Sequence, residues 1–359
     1  MELFNAKVHY DNCRFCWMCR QVCTVATMTS DESHSPRSRG MAAFAVEKGI
    51  LPFDEHVAQN MYECCLCKYC NSWCEGDYDP TEFIIAARRD AVAQGLEPAV
   101  IRRLKDTLLN AGNVFDCTEK DEEFTRLWSR LPSRGDILLI AGSIIPYRAP
   151  KIAEASLSVL RACGVEPAAI DETTGGFELY CLGYADEARR AVEKLTAEIA
   201  AAGAKTIVTL DTQERYFLSE LSKLFGLELT AKVLHWSEYV SSLKLPQLKA
   251  KSELVTYHDD SFLARYCGVT DAPRACIKAV PGCKYQDMLW FGEEAHATPS
   301  ALFQFMYPNI ADQMLTRRAK DYFKTQADTL ITGAAIDRVN MRDMGIKAVS
   351  IQEYLESAL

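Results

Sequence analysis

Two cysteine runs with the same spacing constrain this sequence more than any other feature. The first run, CRFCWMCRQVC, follows the pattern C-x2-C-x2-C-x3-C at Cys13, Cys16, Cys19 and Cys23. The second run repeats that pattern at Cys64, Cys67, Cys70 and Cys74. Three thiolates at two-residue gaps on a tight loop can reach three irons of one cubane, while the fourth ligand must come from elsewhere. The repeated pattern therefore predicts two [4Fe-4S] clusters.

The fourth cysteine of each run decides how the ligands are shared. In two-cluster ferredoxins this cysteine ligates the cluster of the other run. Applied to this chain, the rule predicts one cluster on Cys13, Cys16, Cys19 and Cys74. It predicts the other cluster on Cys64, Cys67, Cys70 and Cys23. The proline that often follows the fourth cysteine is replaced by Thr24 and Glu75, which removes no ligand.

Two alternatives stand beside this assignment. Zinc also accepts four thiolates, but its sites usually pair two C-x2-C units, whereas here a third cysteine follows at the same gap in both runs. Cys65 lies outside the pattern. We expect it to be a packed core thiol, with a role as substitute ligand as the alternative.

Composition and charge restrict the class of protein. The 359 residues include 15 cysteines, and the amino terminus shows neither an apolar segment nor a cleavage site. We therefore expect a cytoplasmic protein whose cysteines bind metal instead of forming disulfides. The longest strongly apolar stretch, at 137–145, is too short to cross a bilayer. A net charge of -9 without a basic stripe argues against nucleic acid as a partner.

The sequence divides into a helical part and two α/β repeats. Asp79 and Pro80 are typical of an N-cap and a first helical position, in a helical domain predicted over 1–115. An acidic linker is predicted over 116–134. Apolar strands then alternate with helices, which predicts parallel α/β units over 135–245 and 252–359. The two units share matching dipeptides, which are Ala149-Pro150 with Ala272-Pro273 and Glu238-Tyr239 with Glu353-Tyr354. The expected fold class is α+β multidomain.

These features together resemble the iron-sulfur oxidoreductase family. The resemblance rests on the twin cysteine runs, the S-P-R-x-R-G loop at 35–40, the Y-H-D of 257–259 and the D-A-P-R of 271–274. The family includes iron-sulfur subunits of heterodisulfide reductase, of glycolate oxidase and of anaerobic glycerol-3-phosphate dehydrogenase. The resemblance covers essentially the whole chain. It implies an N-terminal ferredoxin domain with two [4Fe-4S] clusters followed by two CCG-type α/β domains.

The α/β repeats depart from the family pattern, because the cysteines of the CCG signatures are absent. The positions that match those signatures read Gly142-Ser143, 173–177, Asp211 to Glu214, His258 to Ser261, 291–300 and Ala334 to Asp337. We therefore expect no catalytic residue in these degenerate repeats. The alternative is a new hard-metal or polar binding site formed by Ser143, Asp211, Glu214, His258, Ser261 and Asp337.

The expected role is that of an electron-transfer subunit. The chain has neither G-x-G-x-x-G after a strand nor a phosphate-binding loop, so a flavin or other catalytic centre would belong to another subunit. The family resemblance implies a flavoprotein partner. Two alternatives remain: a reductase that binds a small thiol, disulfide or acyl substrate between its α/β repeats, and an assembly subunit whose clusters are only structural.

Overall fold

The computed structural model describes residues 1–76 and 78–359. The chain forms two compact units, each built from three stretches of sequence. The first unit comprises Met1–Asp116, Gly175–Arg190 and His296–Thr316. The second comprises Cys117–Thr174, Ala191–Ala295 and Arg317–Leu359. The helical region predicted over 1–115 thus lies with two later segments that no local pattern had indicated.

The first unit is helical in its described residues. Its amino-terminal part contains helices α1 (Glu2–Asn5), α2 (Lys7–Asp11), α3 (Met18–Val22), α4 (Thr24–Thr29), α5 (Pro36–Glu47), α6 (Glu55–Tyr62), α7 (Tyr69–Ser72), α8 (Pro80–Gln94) and α9 (Ala99–Ala111). As predicted, the Asp79 side chain accepts a hydrogen bond from the Thr81 N–H, and Pro80 opens α8.

The second unit contains two four-stranded parallel sheets. Its strands are β1 (Ile137–Ile140), β2 (Ala168–Ala169), β3 (Thr206–Thr209), β4 (Lys232–His235), β5 (Leu254–His258), β6 (Lys284–Tyr285), β7 (Thr329–Thr332) and β8 (Ala348–Ser350). The strand orders are β2-β1-β3-β4 and β6-β5-β7-β8, with every described pair parallel. The two predicted α/β repeats therefore have the same topology.

Helices follow the strands of both sheets and complete the chain. They are α10 (Glu122–Trp128), α11 (Ile145–Arg148), α12 (Pro150–Ala162), α13 (Gly176–Leu182), α14 (Ala185–Ala202), α15 (Thr212–Ser219), α16 (Leu221–Phe225), α17 (Trp236–Ser241), α18 (Asp271–Lys278), α19 (Ala301–Met306), α20 (Pro308–Thr325), α21 (Ala335–Asp343) and α22 (Ile351–Glu356). A π-helix at Ser261–Tyr266 and short 3-10 turns at Glu32–His34 and Gly292–Glu294 lie between them. Helix α10 falls inside the stretch predicted as a linker. None of the helices of the described chain is long and apolar enough to cross a membrane.

The Glu-Tyr dipeptides that matched between the repeats perform the same task in each. Glu238 and Glu353 are the third residues of α17 and α22, and the carboxylate of each accepts a hydrogen bond from the N-cap backbone N–H in a capping box. Each glutamate also pairs with an arginine, since Arg215 and Arg338 donate from Nε to the two carboxylates at 2.6 Å. The matched Glu-Tyr dipeptides thus mark equivalent helix N-termini in the two repeats.

Two buried side chains hold the segment 175–190 against α8 in the first unit. The Tyr62 hydroxyl donates to the Leu182 carbonyl at 2.8 Å. The Arg88 guanidinium donates to the carbonyls of Cys181 at 2.8 Å and Cys64 at 2.7 Å. Because Arg88 also reaches the Met61 carbonyl, it joins the end of α6 and the start of the second cysteine run to one framework. This framework positions that run.

Candidate metal centre

The two cysteine runs adopt the same uncommon backbone conformation. Phe15 and Trp17 have φ values of 55° and 69°, and Leu66 and Lys68 have 52° and 60°. These residues occupy equivalent places, two and four positions after the first cysteine of each run. Non-glycine residues with positive φ are uncommon and cluster at functional sites, where the surrounding structure offsets the strain. Each run is therefore held as a shaped loop.

Left-handed residues at alternate positions, as in both loops, are a feature of anion-binding nests. Alternation of right-handed and left-handed residues turns successive backbone N–H groups inward, which is how many phosphate and iron-sulfur sites are built. In the second loop, the Leu66 N–H already donates to Cys64 Sγ at 3.4 Å. In both loops a short helix starts directly after the second left-handed residue, α3 after Trp17 and α7 after Lys68.

A small cavity beside the second loop gathers thiols from both runs. Its lining includes Cys23, Cys64, Cys65, Cys67 and Cys70. Burial raises the pKa of the Cys23 thiol to about 12, and the nearby Cys67 and Cys64 thiols raise it further. The fourth cysteine of the first run therefore lies with the second run.

The remaining four predicted ligands lie together at the first loop. Burial raises the pKa of Cys19 to about 11, and the neighbouring thiols of Cys13, Cys16 and Cys74 add to the shift. A Cβ at Gly76 would lie 3.8 Å from Cys74 Sγ and 3.1 Å from the Asn12 carbonyl oxygen, so this turn meets the start of the first run. Cys19 thus has Cys13, Cys16 and Cys74 as neighbours, and Cys23 lies at the cavity of the second run, while no three thiols of the described chain are grouped closely enough to hold a metal ion as they stand.

Buried Arg39 also lines the thiol cavity. Its side chain is 1% exposed, Nε donates to the Asn60 carbonyl at 2.9 Å and Nη1 donates to the His34 carbonyl. Nη2 is buried and has no hydrogen-bond partner in the described chain. A buried cation is costly unless a negative group faces it. A cavity lined by thiolates and a cation fits an anionic thiolate-bound cluster.

The start of α5 connects the two cysteine sets, which explains the S-P-R-x-R-G loop. The Ser35 hydroxyl caps the helix by accepting from the Ser38 N–H. The Arg37 backbone N–H donates to the thiol of Cys19, a bond that lowers the Cys19 pKa against the larger effect of burial. Arg39, two residues later, faces the other set. The sequence motif indicated only a family resemblance and predicted no physical role for its arginines.

Two further side chains approach Cys67 in the second set. The Thr24 hydroxyl lies 3.8 Å from Cys67 Sγ. The thiol of Cys65 hydrogen-bonds to Cys67, and this bond together with burial raises the pKa of Cys65 well above its usual value. Cys65 therefore lines the cavity as a hydrogen-bonded neighbour of the predicted ligand Cys67.

The two sets differ in their access to solvent. Phe15 and Trp17 of the first loop are 57% and 50% exposed, and Cys16 between them is exposed as well. In the second loop, Tyr69 is buried and the cysteines are partly buried. The first set is therefore the one nearer the surface of its unit.

Polar residues meet at the carboxyl ends of the strands in the second unit. Arg318 Nε donates to His258 Nδ1 at 2.9 Å, so the ring proton lies on Nε2, which faces Asp337 Oδ2 at 3.2 Å. Asp211 Oδ1 accepts from the Thr212 N–H at 2.9 Å and from the Ala335 N–H at 3.1 Å. Ser261 instead accepts from Arg265 at 2.6 Å. Within residues 1–76 and 78–359, no three His, Cys, Asp or Glu side chains are grouped so as to hold a metal ion.

Asp211 makes the stability of the second unit depend on pH. Burial raises its pKa from 3.8 to about 7, and the charges of Asp260 and Asp337 add to the shift. Between these values the folded chain keeps a proton that the unfolded chain releases, so the free energy of unfolding falls as pH rises, by about 1.4 kcal/mol per pH unit. Asp211→Asn keeps the acceptor oxygen and removes this titration.

We expect the variant to gain stability relative to the wild type as pH increases from 4 to 7. Urea unfolding at pH 5, 6, 7 and 8, followed by circular dichroism, measures the difference. Asp186→Asn, which removes an exposed carboxylate, is the control. Its free energy of unfolding should differ from that of the wild type by nearly zero at every pH. A pH-independent effect of Asp211→Asn would show that burial does not raise this pKa.

Comparison with known proteins finds homologues among iron-sulfur oxidoreductases, although the chain matches no family model. It is 25% identical over 309 residues to one subunit of the dihydromethanophenazine:CoB–CoM heterodisulfide reductase from Methanosarcina barkeri, covering 80% of this chain and 74% of that one. It is 25% identical over 364 residues to one subunit of the CoM/CoB fumarate reductase from Methanothermobacter marburgensis, covering 96% and 72%.

A further relative agrees with these matches, and one solved structure shares the fold. The probable iron-sulfur-binding oxidoreductase FadF of Bacillus subtilis is 26% identical over 256 residues, which are 66% of this chain and 36% of FadF. A crystal structure of a hypothetical protein from Helicobacter pylori shares the fold, with a TM-score of 0.61 and 10% identity over 99% of this chain and 76% of that one. The family resemblance read from the cysteine runs is confirmed, and the chain is a homologue of the iron-sulfur subunits of heterodisulfide reductase-type oxidoreductases.

Proposed function

We propose that this chain is an electron-transfer subunit that holds two [4Fe-4S] clusters and works within a larger oxidoreductase. Each cluster supplies a site that accepts and releases a single electron without a change of ligands. Cys13, Cys16, Cys19 and Cys74 would hold one cluster, and Cys64, Cys67, Cys70 and Cys23 the other. The loops and buried framework keep these thiolates fixed, so that little reorganises when an electron moves.

The position of Cys23 at the cavity lined by cysteines of the second run is the observation that supports this proposal. Because Cys23 lies with the second run and Cys74 with the first, the two sets share short connecting helices, α3 and α4 on one side and α7 on the other. Two clusters held in this way would be near neighbours, as a relay of electrons requires. The names of the relatives, which are subunits of heterodisulfide and fumarate reductases, support the same role.

Metal and sulfide analysis of anaerobically purified protein is the decisive test. We expect about eight irons and eight acid-labile sulfides per chain, since each cubane holds four of each, and a spin-coupled EPR signal after dithionite reduction. Four irons would leave one set of cysteines without a cluster. Zinc in place of iron would overturn the proposal, and more than eight irons would indicate a further cluster beyond the eight predicted cysteines.

The partner is proposed to be a flavoprotein, which would supply the catalytic centre absent from this chain's motifs. Cys16→Ala should abolish electron flow from a reduced donor to the partner, because it removes a ligand of the surface-facing set. The folded state of the second unit should be unchanged, since no ligand lies in it. Turnover of the assembled complex with artificial donors separates loss of transfer from loss of assembly.

Two other functions make opposite predictions in the same assays. A reductase acting alone would reduce a small thiol, disulfide or acyl substrate with an artificial donor and no partner. A protein that serves only assembly would keep partner turnover intact in Cys16→Ala as long as the complex forms. Asp211 and His258 at the strand ends form hydrogen bonds within the chain itself. These bonds favour neither the reductase nor the assembly protein over electron transfer.

A further inference from the structure

We propose that Arg39 sets the reduction potential of the cluster held by Cys23, Cys64, Cys67 and Cys70, with the Thr24 hydroxyl acting in the same direction. This inference rests on the proposed function and extends it to two residues that are not ligands. Arg39 would be a positioning and tuning residue: it faces the thiol cavity and binds no iron.

Arg39 is a buried positive charge without a protein counter-charge. Its two satisfied nitrogens donate to backbone carbonyls, which carry no net charge, and Nη2 has no partner. No carboxylate in the described chain forms an ion pair with it. A guanidinium stays charged at every accessible pH, so it cannot relieve its burial by losing a proton. The cost of burying this charge is offset only if a negative group occupies the cavity that Arg39 lines.

The charge of Arg39 acts differently on the two oxidation states. One-electron reduction adds a negative charge to a centre that is already anionic with four thiolates. Burial disfavours the more highly charged, reduced state, because water is excluded from it. A fixed cation at the wall of the same cavity favours that state and is little screened there. Arg39 therefore raises the potential that burial alone would lower.

Thr24 contributes through a hydrogen bond to a ligand sulfur. Its side chain is 1% exposed, and its hydroxyl lies 3.8 Å from Cys67 Sγ. A thiolate bound to iron carries no proton, so the hydroxyl must be the donor in the loaded protein. Hydrogen bonds to the sulfurs are among the factors that set cluster potentials. Removing this donor should lower the same potential by a smaller amount.

The cation at the first set of cysteines, Arg37, is less buried than Arg39, although its Nε is a buried nitrogen without a partner among the described residues. The arginine nearest in sequence to Arg39 in the motif, Arg37, stacks its guanidinium on the Trp17 ring at 3.8 Å, and both side chains reach solvent. Cys16 is exposed, so water itself can solvate added charge at that set. The two clusters would thus be supported by different means, the first by solvent and the second by Arg39.

Potentiometric titration followed by EPR tests the proposal in the full-length protein. In Arg39→Gln, we expect one of the two couples to shift negative, with at least a tenfold lower ratio of reduced to oxidised cluster at fixed ambient potential. For a one-electron couple this is a shift of about 59 mV. Arg39→Lys retains the charge and should shift less. Thr24→Val should move the same couple, which assigns it to the set containing Cys67.

Lys48→Gln, which removes an exposed cation at the far end of α5, is the charge-matched control and should leave both couples unchanged. If both potentials in Arg39→Gln equal those of the wild type, the proposal is wrong. It is equally wrong if Thr24→Val and Arg39→Gln move different couples. If Arg39→Gln fails to load iron, the other two variants replace it as the test. In that case, potentials equal to those of the wild type in both Arg39→Lys and Thr24→Val would overturn the proposal. Wild-type protein without two clusters would instead contradict the proposed function.

Discussion

Cys23→Ala should remove the same cluster as Cys67→Ala, although Cys23 belongs to the other cysteine run. The reason is that the Cys23 thiol lies at the cavity lined by Cys64, Cys67 and Cys70. We expect both variants to lose about four of eight irons, or to retain a three-iron centre at that set. Their EPR spectra should match each other and differ from that of Cys16→Ala. Iron analysis and EPR of the reduced proteins measure this outcome.

Cys65→Ala is the matched control for these variants. It removes a thiol from the same cavity, and Cys65 contacts Cys67 by a hydrogen bond without belonging to either set of four. We expect it to keep about eight irons, four for each cubane. If Cys65→Ala loses a cluster and Cys23→Ala does not, Cys65 is the fourth ligand. If Cys23→Ala matches Cys16→Ala instead, each run holds its own cluster and the exchange is wrong.

Gly183→Ala should destabilise the first unit by about 2–5 kcal/mol, the sum of a conformational and a steric cost. Gly183 ends α13 with a φ of 94°, a conformation that costs an alanine about 1–2 kcal/mol. Its Cβ would also lie 2.6 Å from the carbonyl carbon and oxygen of Arg88, in the middle of α8. Overlap with backbone cannot be relieved by a rotamer change and adds about 1–3 kcal/mol. Chemical denaturation of anaerobically prepared protein gives the free energy of unfolding.

Gly95→Ala separates the two causes of this effect. Gly95 ends α8 in the same unit with a φ of 69°, and a Cβ there would meet no atom within 4 Å. We therefore expect Gly95→Ala to cost only the conformational part, about 1–2 kcal/mol. Equal losses in the two variants would show that the approach of 175–190 to α8 does not contribute. The iron content of Gly183→Ala should fall as well, because Arg88 supports the carbonyl of Cys64.

Local sequence signals predicted the elements that depend on neighbours along the chain. The N-cap at Asp79, the proline that opens α8 and the alternation of strands with helices all follow from contacts within a few residues. Local signals did not indicate which distant segments of the chain belong to the same unit. Segments 175–190 and 296–316 lie with the first unit because of contacts such as those of Tyr62 with Leu182 and Gln59 with Tyr307. No periodicity in either segment encodes its partner.

The buried arginines show the same limit within the site. Arg39 and Arg88 are both 1% exposed, yet an arginine in a sequence is most simply interpreted as a surface residue. The S-P-R-x-R-G motif at 35–40 is the sequence feature that contains Arg39. It indicated a protein family but gave no structural role for the arginine. Only the folded chain shows that Arg88 satisfies backbone carbonyls, while Arg39 lines the thiol cavity and has one buried nitrogen without a partner in the part of the chain that the structure describes.

The sequence by itself predicted eight thiol ligands and determined the repeated α/β topology. It did so because the spacing of cysteines on a tight loop and the alternation of strands with helices are local properties. The tertiary structure decided which thiols lie together, how far each set is from solvent and which cation faces it. These features depend on the packing of residues distant in the chain, since burial and charge act through space. They govern how tightly each set would hold an added electron.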